Sequence, residues 1–340
     1  MASFLFVLSC FTVLTGCTHK DIALSFSGQT MGTQYSVTVV TVAGRFPDGV
    51  EEDVATLLDR LDQSMSTYKP DSELNILNRL AVGEEMVLSF DLWQVLQGAQ
   101  HIHALTLGAF DPTVGPLVDL WGFGPKNTSD RVPETSEVEA LMPQIGLEHL
   151  RLDSDNKATK LGEIHLDLSA IAKGYAAQQV GALLRFKGLG NYLVEIGGEL
   201  QLAGHNSKGT AWRIAIEKPE AIQSGPGHSG FEKIISVSNL GVATSGDYRN
   251  YFEKDGVRYS HTIDPRTGSP ITHSLASVTV LADTAGTADA LSTAFMVMGA
   301  EKTMELAGQR EIPVYLLLKT DGGFKAQHSG AFTPYLEGSE

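Results

Sequence analysis

The stretch of residues 261–299 constrains the fold more than any other part of the chain, because it places a Pro- and Gly-rich turn, an apolar strand and a helix one after another. The strand is predicted over residues 276–281, and the helix after it carries Asp289 and Thr293. Side chains four residues apart rise from the same face of a helix, so these two can reach one ion. Their oxygen atoms suit a hard divalent cation. The stretch therefore predicts part of a metal and phosphate site, with His261 at the start of the turn.

Periodic apolar residues elsewhere predict a mixed α+β fold. Apolar side chains recur every three or four positions over residues 50–65, as on an amphipathic helix, and residues 92–102 and 171–184 show a similar pattern. Strand-like runs cover residues 35–39, 192–194, 212–216, 276–281 and 314–318. Because strands and helices do not alternate regularly, mainly antiparallel sheets with packed helices are favoured over a doubly wound parallel sheet.

The composition is that of an ordinary globular protein, with 42% hydrophobic and 19% charged residues in a chain of 340. A net charge of −15 opposes binding to nucleic acid and to anionic membrane surfaces, because both repel an acidic chain at long range. An anionic substrate would need a metal ion or a local basic group. The sequence contains no Walker loop, no dinucleotide-binding GxGxxG pattern and no zinc-type Cys/His spacing.

Residues 1–17 have the character of a bacterial lipoprotein signal peptide. They are apolar, too short for a stable transmembrane span, and end in Leu-Thr-Gly-Cys, which resembles a lipobox. Cys17 is then the predicted site of lipidation. The alternative, a secretory signal with an incidental cysteine, is weaker because Cys10 would leave with the signal and no second thiol would remain. Residues 18–27 are predicted to be a tether and residues 28–335 a single domain, and no Lys or Arg stands near Met1.

Three loop segments carry residues that suit ligand binding. Met31 stands next to a glycine before the first predicted strand, where a plain turn is the simpler interpretation. Tyr68 lies between two helices, where its ring can stack on a planar ligand or cover the edge of a core. Asp111 lies in a Gly- and Pro-rich loop, where it can form a turn or accept a hydrogen bond from a ligand ring.

Residues 167–176 lead from a predicted strand into a predicted helix, and they include Asp167 and Lys173. A helix N-terminus with a nearby cation favours phosphate. Lys173 can alternatively pair with a neighbouring carboxylate. The sequence leaves both roles open.

Taken together, these segments resemble the FAD:protein FMN transferases, or ApbE family. Eight blocks in the same order carry the resemblance: MGTQYSV, STYKPDSELNILN, GAFDPTVGPLVDLWGFG, DLSAIAKGYA, EIGGEL, ATSGDY, HTIDPRTG and ADALSTAFMVMG. The chain departs from the family pattern at Ser169 and Ala170, where two glycines are common, and at Glu195 and Glu199, where Asn and Asp are frequent.

The resemblance implies a two-subdomain α+β architecture and a set of ligand contacts. FAD, the substrate, would contact Met31, Tyr68, Ala109, Phe110, Asp111, Asp167, Lys173, His261 and Ile271. Mg²⁺ would be held by the carbonyl oxygen of Ala170 and the side chains of Asp289 and Thr293. The enzyme would move FMN onto a Ser or Thr hydroxyl of an acceptor protein, form a phosphoester and release AMP. Asp289 and His261 would be its catalytic residues, and His261, with an ordinary pKa of about 6.5, could accept the hydroxyl proton.

Two alternative functions use the same residues. A metal-dependent FAD pyrophosphatase would replace the acceptor hydroxyl with water and give free FMN and AMP. A non-catalytic FAD-binding lipoprotein would have no evident need for the metal ligands.

The resemblance further implies acceptors among membrane electron-transport proteins, such as subunits of sodium-pumping quinone reductases. It also implies a lipid-anchored location on the periplasmic side of a bacterial membrane, with the inner membrane favoured.

Overall fold

The structure, a computed structural model, describes residues 21–124, 131–219, 230–248 and 251–337. Its strands are β1 (Ile22–Thr30), β2 (Thr33–Thr41), β3 (Glu85–Val87), β4 (Leu150–Leu152), β5 (Lys157–Lys160), β6 (Tyr192–Ile196), β7 (Glu199–Ala203), β8 (Trp212–Glu217), β9 (Phe231–Val237), β10 (Gly241–Gly246), β11 (Tyr251–Lys254), β12 (Val257–Ser260), β13 (Ile263–Asp264), β14 (Ser269–Pro270), β15 (Leu275–Ala282), β16 (Val314–Thr320) and β17 (Gly323–His328). The helices are α1 (Val50–Met65), α2 (Glu73–Asn78), α3 (Phe90–Leu105), α4 (Gly115–Leu120), α5 (Thr135–Leu141), α6 (Ala172–Phe186) and α7 (Ala285–Arg310).

Within the described ranges, the largest sheet has eight strands in the order β1-β2-β6-β7-β10-β15-β16-β17. Every neighbouring pair in it is antiparallel. Smaller sheets are formed by β3-β5-β4, β8-β9, β11-β12 and β13-β14. The predicted α+β class with mainly antiparallel sheets is therefore confirmed.

Helices α1, α3, α6 and α7 cover one face of the main sheet and form the largest core with it. The stripe predicted on α1 is the buried one: Val54, Leu58 and Leu61 are almost fully buried. Each such side chain contributes about 1.5–3 kcal/mol through its removal from water. Gly299 interrupts α7 with φ 76° and ψ 171°, so that helix continues in a new direction after its first half.

The opposite face of the main sheet packs against the β8-β9 hairpin and the C-terminal segment. Trp212, Ile216 and Ile235 point from the hairpin toward the sheet and are buried. A third cluster lies around α4, α5 and the β11-β12 hairpin, where Trp121 stacks on Tyr259 with ring centroids 5.7 Å apart. Two apolar layers therefore enclose the sheet, and the third cluster flanks the cleft described below.

The segmental predictions largely agree with the structure. The predicted helices at residues 50–65, 92–102 and 171–184 lie within or closely match α1, α3 and α6. The predicted strands lie within β2, β6, β8, β15 and β16. Within the described part of the chain, no helix combines the length and apolarity needed to cross a membrane.

Two predictions about local structure were wrong. The tether predicted over residues 18–27 overlaps β1, which begins at Ile22 and pairs along its whole length with β2. The signal was present, since Ile22, Leu24 and Phe26 alternate with smaller residues. The residues before Asp167 form no strand, because β5 ends at Lys160 and residues 161–168 run as an irregular segment. The signal peptide, Cys17 and residues 18–20 lie outside the described residues.

Candidate functional site

A cleft of about 420 Å³ lies between the N-terminal ends of α6 and α7, the loop after α3 and the β12-β13 connection. Most of the predicted ligand-binding residues line it, although they come from distant parts of the chain. They are Tyr68, Ala109, Phe110, Asp111, Asp167, Ala170, Lys173, His261, Asp289 and Thr293. The fold thus brings the motifs of the sequence to one place.

Asp289 is held at the base of the cleft by the N-terminus of another helix. Its Oδ2 accepts a hydrogen bond of 3.0 Å from the backbone N–H of Gly174, in the first turn of α6. The side chain is buried, and burial raises its pKa, while the charge of Lys173 and the Gly174 N–H act in the opposite direction. Since α6 has no capping bond from its own N-cap residue, Ile171, the carboxylate of Asp289 serves as a cap from a distant segment.

The close approach of α6 and α7 depends on Gly174. A Cβ atom at this position would lie 2.3 Å from the carbonyl oxygen of Ala285 and 2.7 Å from Cβ of Asp289. A larger residue would therefore push the two helices apart. The glycine of the sequence motif is a packing requirement that places the carboxylate against the helix end.

A chain of hydroxyl groups links β10 to α7 beside Asp289. Oγ of Ser245 lies 2.8 Å from Oγ of Ser292 and 3.2 Å from Oγ1 of Thr293. Ser292 in turn donates to the carbonyl oxygen of Asp289 at 2.9 Å. These bonds orient the Thr293 hydroxyl from the strand side, and Ser245 and Thr293 both line the cleft.

Lys173 and Glu199 form an ion pair near Asp289. Nζ of Lys173 lies 3.4 Å from Oε1 of Glu199 and donates to the carbonyl oxygen of Ser169 at 3.1 Å. Burial, with the charge of Asp289, raises the pKa of Glu199 to about 8. Burial alone would lower the pKa of Lys173, but the charges of Asp289 and Glu199 outweigh it and raise the pKa. Two acidic groups share one lysine, which favours a further cation here.

Asp167 shapes the loop that leads into α6. Its Oδ1 accepts from the backbone N–H of Ser169 at 2.8 Å, and its own N–H donates to the carbonyl oxygen of Pro112 at 2.7 Å. The loop before α6 is therefore joined to the loop that contains Asp111. Ala170 lies in this turn and lines the cleft.

Asp111 has the structural role that the sequence allowed, and it also lines the cleft. Its Oδ1 accepts from the N–H and the hydroxyl of Thr113, at 2.8 and 2.6 Å. Its Oδ2 lies 3.4 Å from Nδ1 of His103, which donates to the Phe110 carbonyl at 2.9 Å. Burial raises the pKa of Asp111, and the hydrogen bonds from Thr113 oppose that rise.

Tyr68 lies on a loop whose backbone is firmly tied although the ring is exposed. The side chain amide of Asn75 donates to the carbonyl oxygens of Ser66, Thr67 and Lys69. Tyr68 itself is 70% exposed, and it borders the cleft. An exposed aromatic ring on a rigid loop is suited to stacking on a planar ligand.

His261 follows β12 directly, at the start of the predicted turn, and this half-buried residue lines the cleft. The ring of Phe123 meets it edge-on, with centroids 6.3 Å apart. The Pro- and Gly-rich turn after it forms the β13-β14 hairpin. His261 thus lines the same cleft as Lys173 and Asp289.

Two of the predicted FAD contacts lie outside the lining of this cleft. Met31 occupies the β1-β2 turn with φ 48° and lines an adjoining cavity of about 510 Å³ together with Tyr68 and Lys173. Ile271 packs against the main core, and its N–H donates to the carbonyl oxygen of Thr262, which does line the cleft. Their contacts with FAD stay predictions.

Sequence reasoning missed Glu199 and Ser245 as site residues. Both lie in blocks that the resemblance had marked, EIGGEL and ATSGDY. Ser245 lies near the end of β10, which carries its side chain into the cleft. The composition of these blocks gave no sign of which side chains face inward.

The residues of the cleft suit a hard cation that is partly held by a substrate. No group of three or more His, Cys, Asp or Glu side chains in the described ranges is arranged to hold a metal alone. Asp289 and Thr293 nevertheless supply oxygen atoms, and the buried Oε2 of Glu199 has no hydrogen-bond partner within the described structure. Mg²⁺ commonly binds one or two carboxylates together with substrate phosphates. The donor set fits that ion.

The family model for ApbE matches residues 31–316. The FAD:protein FMN transferase of Vibrio cholerae serotype O1 is 43% identical over 337 residues, which cover 99% of this chain and 99% of that protein. The solved structure of the flavin transferase ApbE from Vibrio cholerae has a TM-score of 0.84 at 43% identity, covering 93% of this chain and 100% of that chain. The solved structure of Pseudomonas stutzeri flavinyl transferase ApbE, in its apo form, has a TM-score of 0.85 at 38% identity, covering 94% of this chain and 98% of that chain. The family model matches most of the chain, and a relative that covers 99% of it is 43% identical, so the chain belongs to the ApbE family.

Proposed function

We propose that the protein is an enzyme that transfers FMN from FAD to a Ser or Thr hydroxyl of an acceptor protein and releases AMP. The observation that carries the proposal is the single cleft in which Asp289, Thr293, Lys173, His261 and Tyr68 converge. The relative from Vibrio cholerae is named as an FAD:protein FMN transferase, which supports the same reaction.

The reaction exchanges the phosphoanhydride bond of FAD for a phosphoester bond to the acceptor. The oxygen of the acceptor hydroxyl forms a bond to the phosphorus of the FMN half, and the bond from that phosphorus to the bridging oxygen breaks. AMP leaves with the bonding electron pair, and the hydroxyl proton passes to a base. His261 faces the cleft and can accept that proton at a ring nitrogen. Lys173 stays cationic because its pKa is raised, so it can stabilise negative charge on the phosphates.

The reaction also needs a positive charge that neutralises the pyrophosphate and the leaving AMP, and Mg²⁺ can supply it. Asp289 and Thr293, with the carbonyl oxygen of Ala170, would hold the ion. When bound, Mg²⁺ would neutralise charge on the pyrophosphate and on the leaving AMP. The capping bond from Gly174 fixes the Asp289 carboxylate before any ligand arrives, so little reorganisation is needed.

Tyr68 favours transfer over hydrolysis of FAD. Its exposed ring, on a loop tied by Asn75, can cover a planar ring and so retain FAD until an acceptor arrives. A pyrophosphatase would use the same Asp289, Thr293 and Lys173, with water as the nucleophile in place of the acceptor hydroxyl. A simple binding protein has no evident use for a buried carboxylate placed beside a lysine and a second acid.

The test is to incubate the soluble chain, begun after Cys17, with FAD, Mg²⁺ and a Thr-containing acceptor domain. A gain in acceptor mass equal to bound FMN, with release of AMP, is expected. Free FMN and AMP with unmodified acceptor would support the pyrophosphatase. Intact FAD would support the binding protein.

In this proposal the enzyme works from a lipid anchor at Cys17 on the periplasmic side of a bacterial membrane, with the inner membrane favoured. The Leu-Thr-Gly-Cys sequence is the support for the anchor. The acceptors would be membrane electron-transport proteins such as subunits of sodium-pumping quinone reductases. Fractionation of cells that express the wild-type chain or Cys17→Ser checks the anchor: the variant should leave the membrane fraction.

A further inference from the structure

A second groove of about 470 Å³ lies on the other face of the main sheet, beneath β8. Leu193, Leu200 and Val242 form an apolar floor from β6, β7 and β10. The buried Trp212 and Ile216 of β8 pack on the sheet, but Ile214 between them is only half-buried, because the groove opens at that point.

The groove follows the edge of β8. Five consecutive residues of this strand, 213–217, line it. Successive side chains of a strand point to opposite faces, so a groove that touches all of them must run along the strand edge. β9 pairs with one edge of β8, and no strand within the described ranges pairs with the other. Such an edge can hydrogen-bond to an added extended segment.

The groove adjoins the FAD cleft. Gly197 and Thr244 line both cavities, so the β6-β7 turn forms the ridge between them. Gly197 has φ 65°, and a Cβ atom there would lie 3.0 Å from Thr33 and 3.2 Å from Cδ of Lys173. Thr33 and Lys173 therefore pack directly against this glycine and leave little room for a side chain. A chain lying in the groove is thus separated from Lys173 and the cleft by the width of this turn alone.

We infer that this groove binds the acceptor protein, as an extended segment that pairs with the edge of β8 and carries its Ser or Thr hydroxyl across Gly197 into the cleft. The inference rests on the proposed transfer. Backbone pairing with β8 provides affinity that depends little on sequence, and apolar side chains on the segment contact Leu200 and Val242. The continuity of the two cavities is what selects the acceptor as occupant, because the attacking hydroxyl must enter the cleft.

Two variants separate groove binding from general loss of structure. Ile214→Glu puts a charge into the groove, whereas Phe324→Glu alters a partly buried residue of the same apolar cluster that does not line the groove. With an acceptor domain that the wild-type chain modifies, Ile214→Glu should raise the KM for acceptor at least tenfold and leave the Kd for FAD unchanged. Phe324→Glu should leave both constants near those of the wild type.

Photo-crosslinking gives a readout that does not depend on turnover. The crosslinking amino acid p-benzoylphenylalanine replaces the exposed Ala215, and mass spectrometry maps the adduct. Adducts on acceptor residues next to the modified Ser or Thr are expected. Adducts only on a distant acceptor surface, or an unchanged KM for acceptor in Ile214→Glu, would overturn the inference. Lack of any acceptor modification by the wild-type chain would instead refute the proposed function.

Discussion

The backbone N–H of Gly174 donates to Oδ2 of Asp289 across 3.0 Å, joining the first turn of α6 to α7. The two residues are far apart in the chain, yet this contact fixes both the helix end and the carboxylate of the proposed metal site. Asp289 thus has a structural role and a chemical role, and substitutions can separate them.

Asp289→Asn should preserve the fold and remove the activity. The amide oxygen can still accept the bond from Gly174, so the free energy of unfolding should change little, whereas the charge needed by a cation is lost. Asp289→Ala should lose activity and also about 0.5–2 kcal/mol of stability, the usual effect of a lost helix cap. Urea unfolding and the transfer assay measure the two effects. Equal stability of the two variants would contradict the capping role.

Gly174→Ala should destabilise the protein by about 1–3 kcal/mol despite the higher helix propensity of alanine, because the added methyl group overlaps Ala285 and Asp289. Gly308→Ala is the matched control. It also lies in a helix, but a Cβ atom there meets nothing within 4 Å. The free energy of unfolding of this control should rise by about 0.5–1 kcal/mol, from the higher helix propensity of alanine alone. Thermal unfolding of both variants checks the contrast, which would vanish if the α6-α7 contact were looser than the structure shows.

Local sequence pattern was enough to predict the helix that carries Asp289 and Thr293, because residue spacing alone fixes which side chains share a face. It was also enough to place His261 at the start of the Pro- and Gly-rich turn. The Gly174–Asp289 bond could not be predicted in this way, since it depends on how two helices pack. The burial of Glu199 beside Lys173 likewise follows from the inward face of β7, which is set by strand order in the sheet.

The error at β1 has a different cause. The alternation of Ile22, Leu24 and Phe26 was visible, but their small and polar neighbours resemble a linker when read alone. Phe26 packs edge-on against Phe46 and Tyr35, with ring centroids 5.2 and 6.5 Å apart. These aromatic contacts stabilise the edge strand. They could not be predicted from local sequence, because they depend on how the segments pack in the folded protein.

Tyr68→Ala should shift the reaction from transfer toward release of free FMN. Without the ring, FAD would be less enclosed and water could reach the phosphates more easily. We expect the ratio of free FMN to FMN-modified acceptor to rise about tenfold, a barrier difference of about 1.4 kcal/mol. Tyr68→Phe keeps the stacking surface and should resemble the wild type. Chromatography of the flavin products gives the ratio, and an equal ratio in the alanine variant would rule out the covering role.

Stability should decline in acid where Glu337 is protonated. Hydrogen bonds from Arg213 and Ser236 lower the pKa of Glu337 from 4.5 to about 2. The folded state therefore binds fewer protons than the unfolded state, so this contribution is present above pH 4.5 and is lost as the pH falls toward 2. The difference in Tm between the wild type and Glu337→Gln should be positive at neutral pH and shrink over that window. The effect should be small, because the pair is exposed. A Tm difference independent of pH would exclude the ionic contribution.

Glu199→Gln should stabilise the free protein and weaken its response to magnesium. Oε2 of Glu199 is buried without a hydrogen-bond partner. Burial, with the charge of Asp289, raises the pKa of Glu199 to about 8, so at neutral pH folding must bind a proton at this carboxyl, a cost that glutamine does not have. We expect a gain of about 1 kcal/mol in the free energy of unfolding at pH 7 without ligand. The rise in Tm on adding Mg²⁺ and FAD should become smaller, because glutamine cannot ionise when a cation binds. Glu195→Gln, at an exposed position in the same hairpin, is the control and should change neither value. If Glu199→Gln kept the full rise in Tm, the carboxylate would not contribute to cation binding. Its role in the cleft would then be to orient Lys173.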